Sequence, residues 1–151
     1  MLKSDLFMIN DLTKNPPRSA AIRLGGYAIL ARTIDKCRST ILGKQGEYHY
    51  DCPVDKGLFE FKGINGNEFK SFVEKNKTDA EIVDWLNKSG KHKSQEEIMD
   101  WSDESCSNNP SLKDDEFGAW FSEECNKLNL NPKTTTLFHW LDVDDKASFV
   151  K

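Results

Sequence analysis

The sequence predicts an all-α fold: a compact orthogonal domain of about six or seven helices around a long central helix at about 20–42. Three patterns predict it. Tyr27, Leu30, Ile34, Cys37 and Ile41 recur at steps of three and four, one stripe of a helix face. Phe117, Trp120, Phe121, Cys125 and Leu128 repeat such a stripe further along. Between them, TDAEIVDW (78–85) and SQEEIMDW (94–101) each open with the S/T-x-x-E of a capping box, then place Ile and Trp on one face.

Composition bounds the rest. A chain of 151 residues fits one domain, 1–151, and a domain of this size buries roughly 68–70% of its unfolded surface. Four Trp, nine Phe and three Tyr can fill that core. The net charge of −4 argues against a nucleic-acid binder, which needs a basic face. Cations outnumber acids up to Gly66 and acids outnumber cations beyond it. No stretch approaches the ~20 apolar residues of a membrane span, and MLKSDLFMINDL has no leader-like apolar run. Cys37, Cys52, Cys106 and Cys125 form no C-x-x-C pair, so neither a zinc ribbon nor a thioredoxin-type motif is expected, and no cofactor is read from the sequence. Free thiols in a reducing cytoplasm are the default.

In chain order, 1–18 reads as an irregular arm that Leu6, Phe7, Ile9 and Leu12 could dock, ended by Asn15-Pro16-Pro17. Ser19 is a plausible cap for the central helix, and Gly43 ends it. Gly25-Gly26 lowers its stability by about 1 kcal/mol per Gly. The pair fits better if another backbone or a ligand comes close, or if the helix begins only after it. Residues 44–52 connect to a helix with Pro53 at its first position, Cys52 or Asp51 near its cap and Asp55 in its first turn. Phe69, Phe72 and Val73 mark a short helix at 67–76. The two capped segments make a helical hairpin, broken at Ser89-Gly90, that packs its Trp residues inward. Residues 102–112 read as a surface loop, with Ser111 capping a helix at 112–128. Leu137, Phe138, Trp140 and Leu141 give a last short helix, whose end folds back through Phe149.

The densest chemistry lies in Arg32, Asp35 and Arg38 with the run Glu47, Tyr48, His49, Tyr50, Asp51 and Cys52. Arg32–Asp35 and Asp35–Arg38 are i,i+3 pairs on the central helix. If 47–52 is extended, Glu47, His49 and Asp51 share one face and Cys52 takes the other. His49 with Asp51 or Glu47 could then do acid–base work, while Arg38 holds an anionic substrate. His, Asp and Cys can also bind a metal, but this spacing does not carry a metal site. Cys52, just before a helix, is a nucleophile candidate, and Cys37 with Cys52 a candidate redox pair.

LGGYAILARTIDKCR, GEYHYDCPVD, LFEFKGI and EIVDW, in that order, resemble a family of small, chiefly bacterial proteins, domain-of-unknown-function family number five thousand and sixty-nine. The resemblance implies a helical domain of cytosolic type and brings no activity, cofactor or catalytic residue. The reading is therefore a non-catalytic binding or protein-interaction domain. Arg32, Asp35, Arg38 and Tyr48 form its ligand surface, and its partner is an unknown protein or a small anionic ligand. It would be a monomer or homodimer, without nucleic acid or membrane. The alternative is a small-molecule enzyme using His49 as acid and base.

Overall fold

The central helix begins where the glycine pair releases the chain. In the computed structural model, which describes residues 11–149, α1 is Leu30–Ile41, not a helix from Ala20. Gly25 and Gly26 take φ of +61° and +89°, and Leu24 and Tyr27 close a small antiparallel bridge. A Cβ on Gly25 would stand 2.5 Å from Val83 Cγ1, and one on Gly26 2.7 Å from Gln95 Nε2. The missing side chains therefore let two later helices approach. Ile29 is left at φ 73°, a costly conformation for a β-branched residue. Ser102 compensates nearby: its hydroxyl accepts from Ala28 N (2.9 Å) and donates to Gly26 O (2.8 Å).

From Leu30 to Ser39 every residue of α1 is buried, including Arg32, Thr33, Asp35, Lys36 and Arg38. A helix buried all round must find polar partners for such residues, because unpaired buried charge is expensive. Those partners come from the rest of the chain.

The following helices are α2 (Pro53–Lys62), α3 (Gly66–Val73), α4 (Asp79–Lys88) and α5 (Gln95–Ser107). A 3₁₀ turn at Pro110–Leu112 leads to α6 (Glu116–Lys127) and α7 (Leu137–Phe149). Among the described residues there are thus seven α-helices and no strand. Both capping boxes form as the sequence predicts: Thr78 with Glu81, Ser94 with Glu97. Pro53 is the first residue of α2, Cys52 its cap, and Gly63 ends it in the left-handed region.

Three further boundaries differ from the sequence reading. α5 continues through Ser107, where a loop was expected, because Ser105 satisfies itself on the Trp101 carbonyl (2.9 Å) and Cys106 packs on the core. Asp115, not Ser111, caps α6, accepting from Gly118 N at 2.7 Å. Ser111 is instead held by Asn109 and the Pro132 carbonyl. α7 runs to Phe149, which lies parallel to Tyr48 with ring centroids 6.5 Å apart.

All seven helices contribute to one hydrophobic cluster, which includes Leu30, Ile34 and Cys37 of α1 and Leu58, Phe69, Ile82, Ile98, Phe121 and Phe138. Trp85 and Trp101 are half-buried at its edge, stacked on Phe72 (5.0 Å) and Phe61 (4.7 Å). Leu12 of the arm is buried, and its N–H donates to Lys44 O at 3.0 Å. The docking expected of Leu6, Phe7 and Ile9 lies outside the described residues.

Candidate functional site

The polar residues of α1 split into two groups that face different partners. Toward α4, Arg18 donates from Nε and Nη2 to Asp35 (3.0 Å each) and from Nη1 to Asp79 (2.9 Å). Arg38 pairs with Asp79 (2.9 Å) and donates to Lys77 O (2.7 Å). Asp35 is thus not clasped by Arg32 and Arg38 as their i,i+3 spacing suggested. Arg18 takes both of its oxygens, because burial rewards a bidentate partner over the surface geometry of a helix pair. Burial alone would raise the Asp79 carboxyl, but hydrogen bonds and charge from Arg18 and Arg38 outweigh it and hold it below the usual range.

Toward α7, Arg32 and Asp145 form a buried bidentate pair, 2.8 and 3.2 Å. Tyr48 donates to the same carboxylate at 2.8 Å, and its ring lies 5.5 Å from the guanidinium carbon. Burial and that carboxylate push the Tyr48 phenol well above its ordinary value. One helical step on, Lys36 Nζ lies 3.0 Å from Asp55 Oδ2 and donates to Cys52 Sγ at 3.1 Å. Asp55 also accepts from Thr33 Oγ1 (2.6 Å) and from the backbone of Asp51 (2.9 Å) and Cys52 (3.4 Å).

These contacts fold 46–52 into turns, not an extended segment, with Gly46 at φ 58° and Asp51 at 63°. The alternation that would have separated Cys52 from His49 does not occur. Arg32, Lys36, Glu47, Tyr48, His49 and Cys52 all line one cavity of about 560 Å³, closed by Trp140, Leu141, Asp144 and Phe149 of α7. Of the residues singled out by sequence, Arg32, Glu47, Tyr48, His49 and Cys52 therefore come together. Asp35 and Arg38 belong to the Arg18–Asp79 network. Asp51 turns away, pairing with Lys56 (3.0 Å) and packing on Gly66. Cys37 sits in the core, where burial pushes its thiol up to about 12, and all four cysteines are free.

Asp55, Asp144 and Asp145 were absent from the sequence reading of the site, and Lys36 entered it only as one of several cations able to hold a phosphate or carboxylate. The signal for Lys36 was its place on the same helix between Asp35 and Arg38. No local pattern announces Asp145, which is 113 residues from Arg32. Burial, then Asp145 and Glu124, raise the Asp144 carboxyl above its usual value.

Beyond the shared wall of Val54, Trp140 and Leu141 runs an apolar groove of about 750 Å³. Pro53, Gly57, Trp101, Phe117, Trp120 and Phe138 line it. Phe117 and Trp120 are nearly half exposed there, at 48% and 46%. Among the described residues no three His, Cys, Asp or Glu are placed to hold a metal, and no helix is long and apolar enough to cross a membrane.

The arrangement offers a mostly apolar chamber with a thiol and an ammonium in its wall. The cations lining it, Arg32 and Lys36, are both ion-paired within the protein. A family model described as a domain of unknown function (DUF5069) matches residues 14–147. No curated protein matches the chain.

Proposed function

The chain belongs to the domain-of-unknown-function family DUF5069, and from its geometry we propose a non-catalytic binding protein whose ligand is a small molecule held between the 46–52 turn and α7. The observation that carries this reading is the cavity of about 560 Å³, a size typical of small-ligand sites, with walls fixed by the Arg32–Asp145 and Lys36–Asp55 pairs. Side chains locked in advance lose little entropy when a ligand enters.

Charge narrows the ligand. Arg32 and Lys36 already hold carboxylates, and Asp144 and Glu47 add more at the rim. That balance weighs against a small anion and favours an uncharged molecule with an apolar body against Val54, Trp140, Leu141 and Phe149. It weighs equally against the enzymatic alternative, since Arg38 is engaged with Asp79 and Lys77 O and Asp51 packs on Gly66. Free thiols at all four cysteines support placing the protein in a reducing compartment such as the cytoplasm.

The test is a ¹⁵N–¹H correlation map of the full chain titrated with indole and with 1-octanol, two uncharged probes. Shifts should gather on 46–52, the Arg32–Lys36 turn of α1 and α7. Shifts confined to the Arg18–Asp79 face, or none, would refute the reading.

A further inference from the structure

We propose that Cys52 is an acceptor thiol for acyl groups delivered as uncharged thioesters, with the acyl chain lying in the apolar groove beside it. The proposal rests on the cavity being a ligand site and names the chemistry of that ligand.

Two independent observations meet at one stretch of chain. The first is the setting of the sulfur. Cys52 Sγ lies in the cavity wall 3.1 Å from Lys36 Nζ, and Lys36 is 4% exposed. Cys52 is also the cap residue of the ten-residue helix α2, whose N-terminal end carries partial positive charge. Asp55, itself held by the Thr33 hydroxyl, keeps the ammonium beside the sulfur. Negative charge forming on Sγ is met by a cation already in place.

The second is adjacency. Cys52 lines the cavity, the next residue, Pro53, lines the apolar groove, and Val54 lines both. A group bonded to Sγ therefore stands at the junction of the two. The groove is walled by Pro53, Trp101, Phe117, Trp120 and Phe138, which match a hydrocarbon chain and offer little to a polar one. A thioester has no net charge at its reacting end, in keeping with a cavity whose lining cations are already paired.

The step balances without an oxidant or second reactant. Sγ bonds to the thioester carbonyl carbon, the bond from that carbon to its own sulfur breaks, and the Cys52 proton ends on the departing thiol. Acyl chain and carbonyl stay on Cys52.

The experiment treats the full-length protein with S-octanoyl-N-acetylcysteamine and maps the added octanoyl mass by peptide. The half-exposed Cys106 is the internal control, and S-octyl-N-acetylcysteamine, a thioether that cannot transfer, is the binding control. Lys36→Met strands Asp55 and threatens folding, so Gly57→Trp carries the test. A Cβ at Gly57 meets nothing within 4 Å, and the ring would fill the groove. The expected result is octanoyl on Cys52 ahead of Cys106 in the wild type, lost in Gly57→Trp while iodoacetamide still alkylates Cys52, and retained in Lys36→Arg. Equal labelling of Cys52 and Cys106, or labelling of Cys52 unchanged by Gly57→Trp, overturns the proposal. Thioether binding without acyl transfer overturns it and leaves the ligand reading standing. Neither binding nor transfer sinks both.

Discussion

Lys36 Nζ stands 3.0 Å from Asp55 Oδ2 at the buried foot of α2, and this pair joins the central helix to the turn that forms the cavity. Asp55 is fully buried and accepts from the side chains of Thr33 and Lys36 and from the backbone of Asp51 and Cys52. Its removal leaves the ammonium buried without a counter-charge. Asp55→Ala should destabilise the protein by about 3–5 kcal/mol. Urea unfolding followed by far-ultraviolet circular dichroism would show it; a loss below about 1 kcal/mol would mean that water already reaches the pair.

The Arg32–Asp145 pair should behave likewise. Arg32→Met strands a carboxylate that is 5% exposed, for a loss of about 3–5 kcal/mol. Arg32→Lys should recover only part of it, since an ammonium cannot reproduce the two-pronged contact. Tyr48→Phe removes one hydrogen bond to the same carboxylate, worth about 1.5–3 kcal/mol. Denaturant midpoints of the three variants should fall in that order of severity, with Tyr48→Phe the mildest.

Lys62 predicts a pH dependence. It is fully buried, its Nζ donates to the Lys91 carbonyl at 2.7 Å, and burial, with Lys93 nearby, lowers it from the ordinary 10.5. The unfolded chain therefore holds this proton to higher pH than the folded one. Between the lowered folded value and 10.5, stability attributable to Lys62 should rise with pH. Lys62→Met should be more stable than wild type at neutral pH and should lack that rise, measured as melting temperature across alkaline buffers.

Asp79 gives the opposite limb. Its carboxyl is lowered from 3.8, so its contribution is present above that value and lost as pH falls through the folded one. Asp79→Asn should be less stable at pH 7 and should lose less on acidification than the wild type, in the same melting experiment.

Glycines separate backbone need from habit. Gly57 lies inside α2 with open space at its Cβ, so Gly57→Ala should stabilise by about 0.5–1 kcal/mol. Gly25→Ala, at φ +61° with Val83 in the way, should destabilise. Equal effects in thermal melts would contradict the account of how α4 approaches the glycine pair.

These contrasts also mark what could be read from sequence. The caps at Thr78 and Ser94 and the stripe of Leu30, Ile34 and Cys37 are local patterns, and local patterns were legible. The start of α1 was not, because Ile29 is held at positive φ by a junction that Val83, Gln95 and Ser102 of other helices complete. Spacing correctly placed Arg32, Asp35 and Arg38 on one helix but could not choose their partners. Asp145, Arg18 and Asp79 are tertiary choices. The 47–52 run drew notice for its composition, yet its turned shape depends on Asp55 collecting the backbone of Asp51 and Cys52.

The central claim is that the chamber between the 46–52 turn and α7 holds a small molecule. Its most direct test compares the native and denatured masses of freshly purified protein with those of Ser148→Trp, which places an indole in the mouth of the cavity from an exposed position on α7. Added mass on the native wild type that vanishes on denaturation and is missing from Ser148→Trp is the predicted result. A bare wild type, or the same added mass on both proteins, would contradict it.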